Sequence, residues 1–361
     1  MKRISEDEKR HRKIIQRRRE KRNRVSQRKK LYLRKYSKPL PRKISSNRSQ
    51  PIFIDVPTFL SLSENYDETL QFFNELRNFG VLQGKNIHIN FSKLRTIRPG
   101  AALVLAAEID RWRRSKNIKP RLHRPKFWNK EVRRLLNEMG LFDLIDVANP
   151  PETRSTRGRQ RFIRFQSADQ AIGAMAKELR LSLEQIVGVV ARHTELYGAL
   201  IEAMKNTNQH AYPEGEDYDF PIERNRWWMC GAFDGDSEKL TIMFYDQGVG
   251  IPFTLPRIHT IEKVREFLAG FGLPVESDAA LIKAALHVGR SRSGLSNRGN
   301  GLPQIRGYVQ TGQDDRIRIL SGRGEYIYMS DGRESMDDKH APLGGTLIQW
   351  EISSAGPTEV R

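Results

Sequence analysis

With 361 residues, 38% of them apolar, the chain is long enough for two cored domains and a tail. Its single cysteine, Cys230, excludes an internal disulfide and a cysteine-based metal site. No apolar run approaches the roughly 18 residues of a membrane span and the N-terminus has no signal-peptide stretch, so a soluble cytoplasmic protein with no membrane partner is expected.

The formal net charge of +20 is concentrated at one end: residues 1–50 hold 21 Lys/Arg against four acids, a balance of +17. The centre of this arm is the run Gln16-Arg-Arg-Arg-Glu-Lys-Arg-Asn-Arg24. Like charges at that density resist packing, so the arm reads as disordered, or as a solvated helix that orders on a polyanion. Non-specific nucleic acid, bound through its phosphates, is the partner that such charge suits. No base-reading motif accompanies it.

Residues 51–148 alternate strand and helix patterns. A strand is expected over Pro51–Val56, a helix over Glu68–Asn78, and a strand over Asn86–Phe91 with Ile87, Ile89 and Phe91 on one face. A helix over Ala101–Arg113, a short strand over Arg121–His123 and a helix over Lys130–Met139, stopped by Gly140, complete an α/β layer structure. Within it, Ile89-Asn-Phe-Ser-Lys-Leu-Arg-Thr-Ile97, the following helix and Leu135-Leu-Asn-Glu-Met-Gly-Leu-Phe-Asp-Leu-Ile145 resemble a STAS domain. That family comprises the anti-sigma factor antagonists and the cytoplasmic ends of sulfate transporters. Its regulatory serine stands in an Asp-Ser-Ser-Gly pattern at the start of the helix; this chain has Arg98-Pro-Gly-Ala101 there. The resemblance therefore implies a structural or partner-binding module and not a phosphorylation switch. Residues 149–164, rich in proline and small polar residues, read as a linker.

From Ser182 the pattern is one long helix through Tyr212, on which Glu202, Asn206 and His210 recur every four residues along one stripe. Paired strands over Trp227–Phe233 and Leu240–Tyr245 follow, the second running into Asp246-Gln-Gly-Val-Gly250-Ile-Pro252. Arg298-Gly-Asn-Gly301-Leu-Pro303 opens another helix, and a strand pair ends in Gly344-Gly-Thr-Leu-Ile-Gln-Trp350. Each glycine cluster alone is ordinary punctuation. The four elements in this order resemble the GHKL superfamily of gyrase-type topoisomerases, Hsp90 chaperones, histidine kinases, MutL proteins and anti-sigma serine kinases. The resemblance spans 165–352 and leaves 353–361 as a tail. It implies a Bergerat fold, a two-layer α/β sandwich with a mixed sheet, so that the whole chain combines α/β and α+β parts.

The same resemblance implies roles. Asn206 would bind the Mg²⁺ that bridges the ATP phosphates, with His210 farther along the stripe lining the nucleotide site. Asp246 would accept a hydrogen bond from the adenine amino group, Gly248 and Gly250 would let the backbone approach the base, and Thr346 would support adenine recognition. Gly299 and Gly301, with Leu302 beside them, would bring N–H groups and a helix start to the phosphates. The roughly 50 residues between the glycine clusters correspond to the family's ATP lid, in which Lys283, Arg290, Arg292 and Arg298 could reach phosphate oxygens. Glu202 stands where gyrase-like, Hsp90-like and anti-sigma kinase members have a general base. No dimerising hairpin with a phosphoacceptor histidine precedes residue 165; His123 and His193 read as structural. The expected function is thus a Mg-ATP-dependent switch or ATPase. Alternatives are a serine/threonine kinase of the anti-sigma type acting on a separate STAS-type protein, and a nucleic-acid-associated ATPase using the arm. A homodimer is compatible with each.

Overall fold

In the computed structural model, Ile54, Ile87 and Ile89 are buried on one face of short strands whose alternate residues are more exposed, the period of two that a sheet requires. The residues described are 51–116, 121–145, 147, 160–170, 178, 181–182, 193–216, 218, 220, 222–259, 261–287, 302–310 and 314–353. The basic arm and the second glycine cluster, with Gly299 and Gly301, lie outside them, as do His193's side chain, Arg290, Arg292 and Arg298.

Strands β1 (Ile52–Asp55), β3 (Ile87–Asn90) and β5 (Arg121–Leu122) form a parallel sheet in the order β1–β3–β5, while β2 (Phe59–Leu60) and β4 (Thr96–Ile97) pair separately. Parallel neighbours need crossovers. Helix α1 (Tyr66–Glu75), continued by a π turn over Leu76–Leu82, joins β1 to β3, and α2 (Pro99–Lys116) joins β3 to β5. Helix α3 (Lys130–Glu138) starts where the Asn129 side chain accepts the N–H groups of Glu131 and Val132, at 2.9 and 3.3 Å; the short α4 (Leu141–Leu144) follows.

Every residue of α2 from Ala101 to Ala107 is at most 1% exposed. A helix apolar on all sides must be covered on all sides. One cover is the small sheet. The other is a second sheet, whose Trp228, Cys230, Met243, Tyr245, Leu320 and Leu347 share one core with α2. The described residues accordingly belong to one compact unit, Ser49–Arg361.

The second sheet comprises β6 (Gln160–Ala168), β7 (Trp227–Asp234), β8 (Lys239–Asp246), β9 (Arg316–Ser321), β10 (Gly324–Met329), β11 (Glu334–Asp338) and β12 (Thr346–Ser353), in the order β11–β10–β9–β12–β8–β7–β6. All its pairings are antiparallel, which corrects the expectation of a mixed sheet. Tight turns join β7 to β8, β9 to β10 and β10 to β11, and such hairpins make antiparallel neighbours. On its other face Trp227, Met229, Phe244, Ile348 and Trp350 meet α5 (His193–Asn206) and α6 (Ile251–Ile258), α7 (Ile261–Ala269), α8 (Asp278–His287) and α9 (Leu302–Gln310) in a second core. The central strands are thus buried on both faces, one under the helices of residues 193–310 and the other under α2.

Three differences from the sequence pattern bear on the candidate site. Residues 160–164, expected in the linker, are the start of β6. The region expected as a lid is largely core: Leu255, Val264, Leu268 and Ala279–Leu286 are buried in α6, α7 and α8, and Thr260 and 288–301 fall outside the described residues. Helix α5 ends at Asn206 and continues as a π turn over Thr207–Ala211. Among the described residues no helix is long and apolar enough to cross a membrane.

Because α2 belongs to the core of both sheets, Leu103→Ala should destabilise both together, by about 2–5 kcal/mol. Urea unfolding read by tryptophan fluorescence should then show one transition, shifted as a whole. A second transition that Leu103→Ala leaves in place would show the layers unfolding independently.

Candidate functional site

Strand β8 ends where β12 begins, because Asp246 and Thr346 are cross-strand partners. The Asp246 side chain is buried and gathers donors from three elements. It accepts the Gly248 N–H at 2.9 Å, the Thr346 N–H, and the Thr207 hydroxyl of the π turn at 3.5 Å. Burial nevertheless dominates and pushes the carboxyl up to about 7, against the lowering effect of those donors. Ser321, the last residue of β9, closes the corner: its hydroxyl accepts the Ile251 N–H at 2.8 Å and lies 2.8 Å from the Thr346 hydroxyl.

Two glycines make this crowding possible. A Cβ on Gly248 would sit 2.3 Å from the Ala211 carbonyl oxygen, which already accepts the Val249 N–H. The close approach that Gly248 permits is thus that of the π turn. Gly345 has φ +120°, and a Cβ there would fall 1.9 Å from the Asp246 carbonyl oxygen. Gly250 immediately precedes α6 and accepts the Thr254 N–H with its carbonyl.

The corner brings together Asp246, Gly248, Gly250 and Thr346 of the residues expected from sequence. Glu202 is buried on α5, and Asn206 ends that helix one residue before Thr207. The Asn206 Nδ2 is buried without a hydrogen-bond partner. His210 lies half-buried in the π turn, where the four-residue stripe running through Glu202 and Asn206 no longer has regular α-helical spacing. Leu302 is the first residue of α9; its side chain lies outside the described residues. Lys283 is not poised for an anion: its ammonium is 2.6 Å from Glu334 and 4.2 Å from the centre of the Phe271 ring.

Behind the corner lies a charged knot. Glu108 of α2, 2% exposed, is shared by Arg77 at 2.8 Å and Arg111 at 2.6 Å, and the Gln247 side-chain amide donates to the same carboxylate oxygen at 3.2 Å. Burial would raise the Glu108 pKa, but Arg111 and Arg77 outweigh it and hold the carboxyl below the usual carboxylate range. Arg77 also donates to the Leu343 carbonyl at 3.0 Å, and Tyr245 to the Gly344 carbonyl at 2.7 Å, so the knot grips the loop before Thr346. The Gln247 N–H donates to the Tyr212 hydroxyl at 3.0 Å, which donates to the Arg226 carbonyl at 2.6 Å.

Thr207, Ser321, Gln247 and the Glu108 knot escaped the sequence reading. Glu108 alone carried a signal, as an acid interrupting the apolar run of α2. No protein-family model and no curated protein matches the chain, so the chemistry of the corner rests on its residues.

Two outcomes test this geometry. Glu108→Gln leaves two buried guanidiniums without their anion and should cost about 3–5 kcal/mol in urea unfolding; an unchanged midpoint would refute the knot. Asp246 has a folded-state pKa above its ordinary 3.8, so its contribution to stability is complete below about pH 4 and is lost as pH rises to about 7. Stability measured between those pH values should therefore fall less steeply in Asp246→Asn than in the wild type.

Proposed function

We propose that the chain is a GHKL-type Mg-ATP-binding switch or ATPase whose nucleotide site is the corner formed by α5, its π turn, β8 and β12. The reading rests chiefly on Asn206: a buried amide nitrogen without a partner, one residue from the threonine that reaches Asp246. An unmade buried hydrogen bond costs about 1–3 kcal/mol, a deficit that a ligand at this corner removes. The two ends of the carboxamide exchange by a flip, so Asn206 can present its oxygen to a hard cation.

Asp246 suits the adenine amino group because the protein places it as a desolvated acceptor at a strand end. Thr346 and Ser321 fix its surroundings by sharing hydroxyls. Asn206 would hold Mg²⁺ together with phosphate oxygens, and Gly299, Gly301 and Leu302 would approach the phosphates from the start of α9. Bound Mg-ATP would supply a transferable phosphoryl group. Glu202, one turn before Asn206, would take the proton from the attacking hydroxyl of water or serine. The STAS-like layer, without a switch serine, is read as the part that responds to the pocket or docks a partner. A separate STAS-type protein remains the acceptor under the kinase alternative.

Asn206→Ala should abolish Mg-dependent ATP binding in titration calorimetry, while Glu202→Ala should bind normally and lose about 10²–10⁴-fold in turnover. With γ-labelled ATP, label released as phosphate marks the ATPase and label on a partner protein marks the kinase. Retention of Mg-ATP binding by Asn206→Ala would remove the reading. An ionised Asp246 accepts the adenine amino hydrogen bond better than a neutral one. With its pKa at about 7, affinity should rise roughly tenfold from pH 6 to pH 8. Asp246→Asn should bind more weakly and lose that dependence.

A further inference from the structure

The small parallel sheet has an outer face that α2 does not cover. Alternation sends Ile54, Ile87 and Ile89 inward and leaves Phe53, His88 and Arg121 side by side across β1, β3 and β5, in register. Phe53 is 53% exposed and presents its ring to solvent. Two imidazoles stand against it: the His88 ring centre at 5.2 Å and the His123 ring centre at 5.0 Å, the latter nearly perpendicular at 89°. Burial, then Arg121 and His123, push the His88 pKa below its ordinary value, so that ring is neutral at neutral pH.

The chain around His123 is basic. The stretch 121–130 contains four Lys/Arg and no acid, and Arg121, Arg124 and Lys126 are exposed. The nearest acid on the face, Asp55, is occupied by Lys93 and Asn90, each at 2.7 Å. A protein-binding patch is expected to have an apolar centre with charge excluded. A stacking ring beside two imidazoles and next to a basic stretch suits a ligand that alternates flat bases with phosphates.

We infer that this face binds single-stranded nucleic acid, with Phe53 and His123 stacking on unpaired bases and Arg121, Arg124 and Lys126 taking backbone phosphates. A duplex hides its base faces, so the site selects single strands. The site is separate from the Asp246 corner, and its chemistry differs from that of the arm's sequence: the arm has charge to offer, whereas this face requires a base.

The test uses the full chain without nucleotide, so its outcome is independent of the ATP reading. Labelled 12-mers of oligo-uridylate and oligo-thymidylate are compared by fluorescence anisotropy with an abasic strand of equal charge and with a duplex. The base-bearing strands should bind about tenfold more tightly than the abasic strand, which the arm also attracts. Phe53→Ala combined with His123→Ala should erase that difference and leave abasic binding unchanged. Arg121→Ala combined with Lys126→Ala should lower the salt dependence of single-strand binding by about 1.4 in log–log slope, two phosphates' worth. Equal binding of base-bearing and abasic strands would overturn the inference, as would a preference that survives in the Phe53/His123 variant. A protein partner lost in those variants while oligonucleotide binding persists would overturn it too.

Discussion

The rest of the structure depends on one buried carboxylate shared by two guanidiniums. Glu108 comes from α2, Arg111 from the next turn of the same helix, and Arg77 from the π turn after α1. Taking three charges out of water is costly, and the attraction repays it only where geometry and extra hydrogen bonds are good. Here the extra bonds go to specific places: the Leu343 carbonyl, the Asn74 side chain and the Gln247 amide. The ring centre of Phe220 lies 5.9 Å from both guanidinium carbons and screens them. An apolar replacement could fill the volume, but it could not select which turn of α2 faces which end of β8. The knot therefore sets register between the two sheets.

That register explains why both faces of the antiparallel sheet can be dry. Trp227 and Trp228 are adjacent, both at most 3% exposed, and belong to opposite cores. Trp228 satisfies its indole N–H on Asp110, two residues beyond Glu108 on α2, at 3.1 Å. Two acids of α2 thus reach the sheet through an otherwise apolar contact, and each meets a donor. Directional polar pairs of this kind fix position, where apolar packing alone tolerates sliding.

How much of this was legible in the sequence depended on where each residue packs. The apolar runs of α2, β7 and β8 and the alternation in β3 announced themselves because burial selects them. Strand β11, Glu-Ser-Met-Asp-Asp, did not: it is the sheet's edge, mostly exposed, and a charged edge strand carries no apolar pattern. Strand β6, at the other edge, was hidden in the same way by its arginines and glutamines. The helices α6 to α8 were not read because the glycine clusters on either side drew the whole interval into one lid. At the candidate site the motif residues around Asp246 were legible by type, but their partners were not. Ser321 lies 75 residues from Asp246 in the chain, and nothing local marks it. Thr207 was overlooked because a regular α-helix favours the four-residue stripe, and the π turn moves the contact by one place.

Strand alternation places the two central residues of the corner on opposite faces. Phe244 belongs to the core beside α5 and Tyr245 to the core beside α2, so Asp246 returns to the α5 side and meets Thr207. Gln247, one peptide farther, meets Glu108 on the α2 side. A ligand that contacts Asp246 is therefore one peptide unit from the knot that holds the N-terminal layer. Movement of that unit in either direction must stretch a hydrogen bond to a buried charge or displace Gly248 against Ala211, and the backbone there has no slack for either. Under the nucleotide reading, the fused layer needs no long relay to sense the pocket, because the peptide between Asp246 and Gln247 already belongs to both.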